Sequence, residues 1–330
     1  MNIKTGIDYF LSKAIVFFFL WVSSPFVLGE EHVTYSDHIR DRNNSPSIIV
    51  ISDTQSPLWI ETLRLQSDRN EEATKLIYNS VATDSTCSAV IHLGDLTALG
   101  TFESSWNDFD DKVKVIRDAG IPIFPVFGNH EYMFLKSPGI ENMTQRFPYL
   151  KNQSWYYQRI GAIAFVLFNS NSSKLTESDW DIQKQWFAKT LTTLDQDTSI
   201  ALIVAGCHHS PYTNSTIVDP SEEIRTDFIP VFLKSKKAKL FLSGHSHAFE
   251  HFKVEGKDFL VIGGGGGLLH PLLQGLKQRW HDSYPGAERR FFHYARLLPG
   301  KDAMKVQLIK VNAGQSPNEI VYKIDIPYAK

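Results

Sequence analysis

The chain has 330 residues, 42% hydrophobic, 12% aromatic and 21% charged, an ordinary globular composition with ample material for a large core. Its formal charge of −2 argues against broad electrostatic binding to nucleic acid, whose footprint is a strongly basic face, so no nucleic-acid partner is expected. No internal repeat and no Pro/Ser-rich or charge-run linker divides the body, which reads as one domain.

In chain order, Lys4 and Lys13 precede the apolar run from Ala14 to Val22. Ser23, Ser24 and Pro25 interrupt it, and Val27 and Gly29 supply small residues before Glu30. A positive start, a short apolar centre and small residues at the end describe a secretory signal peptide over residues 1–29. The mature domain is then 30–330, exported as a secreted or periplasmic protein, with no other membrane contact expected. An uncleaved membrane anchor is the competing reading, although a span needs about 20 apolar residues and this stretch carries a Pro.

The body alternates strands and helices. Ser47 to Ser52 is a continuous apolar run, as in a strand covered on both faces. A helix-prone stretch from Leu58 to Val81 follows, then a strand over Ala89–Leu93 and an amphipathic helix from Ser105 to Ala119 stopped by Gly120. Ile123 to Phe127 is a third strand despite Pro125. Tyr132 to Ser154 lacks periodicity and reads as a long surface loop. Trp155–Arg159 and Ile163–Phe168 form a hairpin turning at Gly161. A helix follows whose stripe of Trp180, Trp186, Phe187, Leu191 and Leu194 packs a core. Ile200–Val204 and Lys239–Leu242 are buried strands, and the basic run Lys234 to Lys237 between them is a solvated helix end. The C-terminal third adds strands at Phe259–Ile262, Met304–Val311 and Ile320–Ile326. The pattern is an α/β core with two packed sheets.

Five short segments follow predicted strands: Asp53-Thr54-Gln55, Gly94-Asp95, Gly128-Asn129-His130-Glu131, His208-His209-Ser210-Pro211 and Gly244-His245-Ser246-His247. Strand ends of an α/β sheet are where ligands bind. One such Asp is commonly a cap and one such His a satisfied polar group, but five in this order are not coincidence. Carboxylate and imidazole together suit Mn, Fe or Zn. Gly244 would let the chain turn sharply before the two imidazoles of His245 and His247. Competing patterns fail. There is no His-Glu-x-x-His helix, since Glu250 and His251 read as strand, and no Gly-x-Ser-x-Gly elbow. The run Gly263–Gly267 matches neither a phosphate loop nor a dinucleotide fingerprint and reads as a tight turn close to the site.

Cys87 and Cys207 are expected to be free thiols. Asn-x-Ser/Thr acceptors occur at Asn43, Asn142, Asn152, Asn171 and Asn214. Tyr132, Phe134, Tyr212 and Trp280 would either stack on a substrate's organic group or pack ordinarily.

The ordered motif set from Asp53 to His247 resembles the calcineurin-like metallophosphoesterase superfamily, and Ala248-Phe249-Glu250-His251 resembles its secreted, acid-phosphatase-like branch. The resemblance implies a four-layer αββα sandwich, two mixed β-sheets flanked by helices, with two metal ions at one edge. By motif, Asp53, Gln55, Asp95 and His247 would hold one metal. Asp95 (as the bridge), Asn129, His208 or His209, and His245 would hold the other. His209 satisfies the His-x-Pro form of the motif and His208 the His-x-x-x-Tyr form, with a slight preference for His208. The implied reaction is hydrolysis of a small-molecule phosphoester by a bridging hydroxide, with Asp95 and His130 catalytic and Glu131 orienting His130. Two departures stand out. Gln55 replaces the usual His, which leaves open a catalytically degenerate binding protein. Ala98 stands where purple acid phosphatases carry a Tyr ligand, so a purple iron centre is not expected.

Overall fold

The computed structural model describes residues 33–39, 46–63, 65, 69–314 and 318–329. The expected signal segment and Asn43 lie outside them. The strands, in chain order, are β1 (Ser47–Ile51), β2 (Cys87–His92), β3 (Ile123–Pro125), β4 (Tyr156–Ile160), β5 (Ile163–Leu167), β6 (Leu202–Gly206), β7 (Ala238–Ser243), β8 (Phe249–Val254), β9 (Lys257–Ile262), β10 (His293–Pro299), β11 (Ala303–Lys310) and β12 (Glu319–Pro327). The helices are α1 (Trp59–Thr62), α2 (Asn70–Thr83), α3 (Glu103–Asp118), α4 (Lys136–Arg146), α5 (Glu177–Gln196), α6 (Glu222–Asp227) and α7 (Ile229–Lys234).

The strands form two six-stranded sheets, ordered β12-β11-β10-β1-β2-β3 and β4-β5-β6-β7-β9-β8. Each is mixed: β1, β2 and β3 run parallel, as do β5, β6, β7 and β9, while β10 and β8 pair antiparallel at β1 and β9. The alternation of side chains along each strand explains the layering. Ile48 and Val50 of β1 face Leu202 and Val204 of β6 in the core between the sheets. Ile49 and Ile51 point outward onto Ala73, Ile77 and Val81 of α2 and Val113 of α3. Ile203 and Ala205 of β6 point outward onto Phe187 and Leu191 of α5 and Phe228 before α7. Strands buried on both faces read as unbroken apolar runs for this reason. The fold is therefore the expected four-layer αββα sandwich.

Three elements differ from expectation. The helix-prone stretch expected over Leu58–Val81 holds two helices, and Arg69 adopts the left-handed conformation (φ 62°) immediately before α2. β10 is a strand the pattern missed, its charged Arg296 being neutralised by Asp84 at 3.0 Å. The expected loop over Tyr132–Ser154 contains α4. Pro138 and Gly139 in its first turn hide it from propensity, yet Pro is tolerated there and Gly139 lets the helix touch the main chain of Glu131. Arg146, at the end of α4, supplies the anchor. Its Nε donates to Asp110 Oδ2 at 2.8 Å, its Nη2 to Glu103 Oε1 at 2.6 Å, and its guanidinium lies 5.1 Å from the Trp106 ring.

Both cysteines are free and buried, at the start of β2 and just past β6, which belong to different sheets rather than to neighbouring strands. Asn171 and Asn214 are buried with their amides donating to Phe127 O and Trp280 O, so only exposed Asn152 and half-buried Asn142 among the described acceptors face solvent. Lys237 does more than solvate a helix end: its Nζ donates to Leu194 O and Asp197 O, the carbonyls that close α5. No helix among the described residues is long and apolar enough to cross a membrane.

Removing the Arg146 charge strands Asp110, which among the described residues keeps the Tyr35 hydroxyl at 2.6 Å as its short side-chain partner. Arg146→Met is expected to cost about 3 kcal/mol in urea unfolding, with Asp110→Asn recovering part of the loss in the double variant.

Candidate metal centre

The five motif segments converge where the parallel strands of both sheets end. Main-chain bonds stitch them together: Asp53 N and Thr54 N donate to Gly94 O and Asp95 O, Gly244 N to His208 O, and Gly267 N to Asp53 O. Six non-glycine residues among those described have positive φ, and three are Asp53 (57°), Asp95 (54°) and His245 (66°). Backbone strain of this kind collects at functional sites and needs surroundings that over-determine it. Here those surroundings are visible. The Asp53 carboxylate accepts the His245 N–H at 3.0–3.1 Å, and the Asp95 carboxylate accepts the His130 N–H at 2.9 Å. Gly244 itself is not in the left-handed region; its role is room, since a Cβ there would strike Ser52 and the Asp53 carboxylate.

The ionisable side chains fall into two groups, Asp53, Asp95 and His247 in one and His208, His209 and His245 in the other, each with candidate ligand atoms within 4.8 Å of one another. Asp95 joins them, its Oδ2 lying 3.3 Å from His208 Nε2, and His208 Nε2 is 3.0 Å from Asn129 Oδ1. On the other side His247 Nε2 lies 3.3 Å from Asp53 Oδ1 and 3.4 Å from the Gln55 amide nitrogen. All nine sequence-predicted site residues are therefore gathered in or beside these groups, with His130 Nε2 at 3.9 Å from Asp95 Oδ2.

Hydrogen bonds fix which ring nitrogen is available. His208 Nδ1 sits 2.8 Å from Leu93 O and His247 Nδ1 2.9 Å from Leu268 O. A carbonyl only accepts, so each Nδ1 carries a hydrogen; the Nε2 atoms face carboxylate oxygens, and a cation displacing their proton would meet an inward lone pair, the tautomer a metal requires.

The electrostatics ask for a cation. Burial opposes protonation of His208, yet Asp95 and Asp53 push it up to about 9. His247 is likewise raised against burial by Asp53. Asp95 is held well below the usual carboxylate range by His208 and His130, despite burial. His245, with no carboxylate partner as close, is pushed down by burial and its neighbouring histidines. The Gln55 Oε1 is buried without a hydrogen-bond partner, and turning its amide over would aim that oxygen where Nε2 now lies. Carboxylate oxygens, imidazole lone pairs and an orphaned amide oxygen aimed at common points fit a pair of metal ions.

Glu131 corrects one expectation. Its carboxylate does not reach His130; it accepts the N–H groups of Gly128 (2.6 Å), Asp95 (3.0 Å), Leu96 (2.8 Å) and, at the limit, Thr97 (3.4 Å). His130 is oriented by its own Nδ1 against Ala98 O at 2.6 Å.

Sequence reasoning missed His270. Its ring stacks on His247 (centroids 4.3 Å, interplanar 19°) and its Nδ1 accepts the His247 N–H at 3.2 Å. Its only signal was position, three residues past the glycine run. That run does lie against the site: a Cβ at Gly267 would collide with the His247 ring, and one at Gly265 with Ser52 O. Of the four aromatics considered for substrate stacking, Tyr132 and Tyr212 pack inside and Trp280 packs on Tyr212, whereas Phe134 is 49% exposed.

Residues 46–249 match the calcineurin-like phosphoesterase family model, and the chain belongs to that family. It is 27% identical over 172 residues to purple acid phosphatase 22 of Arabidopsis thaliana, an alignment covering 48% of this chain and 38% of the relative, so it spans well under half of that protein. Among solved structures it is similar to the purple acid phosphatase PPD1 of yellow lupin (Lupinus luteus) seeds, with TM-score 0.62, 17% identity, 87% of this chain and 54% of that one. A dimetal phosphatase from Danio rerio superposes with TM-score 0.57 at 14% identity, covering 86% of this chain and 99% of that one.

Because Glu131 satisfies buried N–H groups of two loops at once, Glu131→Gln turns an amide donor onto donors. The variant is expected to lose about 1–3 kcal/mol of stability by thermal unfolding, and to bind Mn²⁺ more weakly in calorimetry.

Proposed function

We propose that this protein hydrolyses a small-molecule phosphoester with a pair of metal ions, Mn, Fe or Zn. Asp53, Gln55, Asp95 and His247 would hold one ion, and Asp95, Asn129, His208 and His245 the other. The observation that carries the reading is the approach of His208 Nε2 to both Asp95 Oδ2 (3.3 Å) and Asn129 Oδ1 (3.0 Å). Bound there, two ions would supply a nucleophile near neutral pH and offset the charge that develops on the phosphoryl oxygens.

The chain's own residues do the rest. Asp95 would be the carboxylate shared by both ligand sets: the His130 N–H fixes its Oδ1, and its Oδ2 lies 3.3 Å from His208 Nε2. His130 is the side chain placed to exchange a proton with the reacting oxygens: Nδ1 is committed to Ala98 O, and Nε2 faces the Asp95 side of the site. Ala98 itself offers no side-chain ligand, in keeping with a colourless centre rather than a purple one.

Gln55 favours a second reading, a binding protein that has kept the fold and lost turnover, because a neutral amide holds a cation less firmly than an imidazole. Aryl phosphate mono- and diesters and a pyrophosphate, tested with Mn²⁺ before and after chelation, separate the two. Hydrolysis that chelation abolishes and Mn²⁺ restores is expected; bound metal without turnover on any of the three sinks the enzyme reading. His130→Ala is expected to lower kcat by roughly 10²–10⁴ while leaving metal content, read by atomic spectroscopy, unchanged.

A further inference from the structure

We propose that His209 is not a metal ligand but the group that donates a hydrogen bond from Nε2–H to a phosphoryl oxygen of the substrate, and that Ser170 fixes it in that form. The inference rests on the dinuclear reading above and adds a residue to it. Three imidazoles of the site, those of His208, His247 and His130, turn Nδ1 towards a main-chain carbonyl, so their Nε2 atoms carry lone pairs in the neutral ring. His209 is held differently. Its Nδ1 lies 2.8 Å from Ser170 Oγ, and the same hydroxyl accepts the His209 main-chain N–H at 2.9 Å.

One lone pair of Ser170 Oγ is therefore occupied by a donor. Its single hydrogen goes to the best acceptor within reach. The candidates are the imidazole Nδ1 and the sulfur of Cys207, a weak acceptor whose own S–H is directed at His209 O. The hydroxyl hydrogen on Nδ1 leaves the ring hydrogen on Nε2. A nitrogen carrying a hydrogen cannot bind a cation, but it is the neutral donor that a phosphate oxygen needs.

Position agrees with tautomer. A ring nitrogen of His209 lies within 4.8 Å of those of His208 and His245, and its ring centroid is 4.4 Å from that of His245. His208 is fully buried, whereas His209 and His245 keep partial exposure, so His209 stands at the edge where an incoming phosphate meets the metal groups. His208, next to it in sequence, has Nδ1 on Leu93 O, so its neutral ring takes the opposite tautomer, and its Nε2 approaches Asp95 and Asn129. The pair thus divides into a ligand and a donor.

The test uses the full chain loaded with Mn²⁺ and inorganic phosphate as the probe. His209→Ala is expected to keep two Mn²⁺ per chain by atomic spectroscopy while phosphate binds roughly 10- to 100-fold more weakly by calorimetry, as for one charge-assisted hydrogen bond. Ser170→Ala, which frees the ring to take either tautomer, should weaken phosphate binding in the same direction with Mn²⁺ content unchanged. His208→Ala should instead lose one Mn²⁺. Loss of one Mn²⁺ in His209→Ala, or unchanged phosphate affinity in both His209→Ala and Ser170→Ala, overturns the proposal. If the parent protein binds two Mn²⁺ and phosphate but hydrolyses nothing, the enzyme reading fails and the His209 comparison still decides. A parent that binds no Mn²⁺ sinks both.

Discussion

The site depends on one carboxylate whose hydrogen bonds all come from main-chain N–H groups. Glu131 gathers main-chain N–H groups from two separate strand-end loops, those after β2 and β3. These are buried donors that no helix or sheet satisfies, and leaving any of them unpaired would cost more than an ordinary hydrogen bond contributes. With the loops locked together, Asp95 is held at its positive φ and Asn129 and His130 are carried to it. Gly128 must be glycine for the same reason, because a Cβ there would overlap the Asp95 carboxylate. The extra helix α4 belongs to this arrangement too: its Gly139 and the loop's Gly100 close on the Glu131 main chain from two sides.

The opposite half is held by contact rather than by charge. His247 lies between the backbone of Gly267 and the ring of His270, with Nδ1 on Leu268 O and its N–H on His270 Nδ1. A ring restrained at its face, edge and main chain loses little further freedom on binding a cation, which is how preorganisation raises affinity. The glycine run is the means: only residues without a Cβ allow the chain to pass so close to Ser52, Ser246 and His247.

Much of this was legible in the sequence, for identifiable physical reasons. β1, β2 and β6 are buried on both faces, so they announce themselves as apolar runs, and the motifs that follow them carry residue types that loops seldom need together. What escaped detection depends on distant partners. β10 is stabilised by pairing along β1 and by Asp84 across more than two hundred residues, and α4 by Arg146 reaching Asp110 and Glu103. Sequence adjacency points Glu131 at its neighbour His130, but a carboxylate three residues from Gly128 finds buried N–H groups instead of the ring. His270 was invisible because stacking on another imidazole leaves no spacing pattern.

The substitution at Gln55 looks different against this architecture. Under the proposed ligand set, a neutral amide in place of an imidazole would by itself weaken the first metal position. Yet that position has the more heavily restrained surroundings: Asp53 is fully buried and bound to the His245 N–H through both oxygens, and His247 is clamped on several sides. Rigid partners reduce the ordering cost of coordination, so under that proposal part of the affinity that the amide gives up would be offset before the ion arrives. Under the dinuclear reading, the two positions would differ in kind. One relies on shape around a weak ligand, and the other, with His208 and His245, relies on ligand strength beside a more open edge where His209 can meet the phosphate.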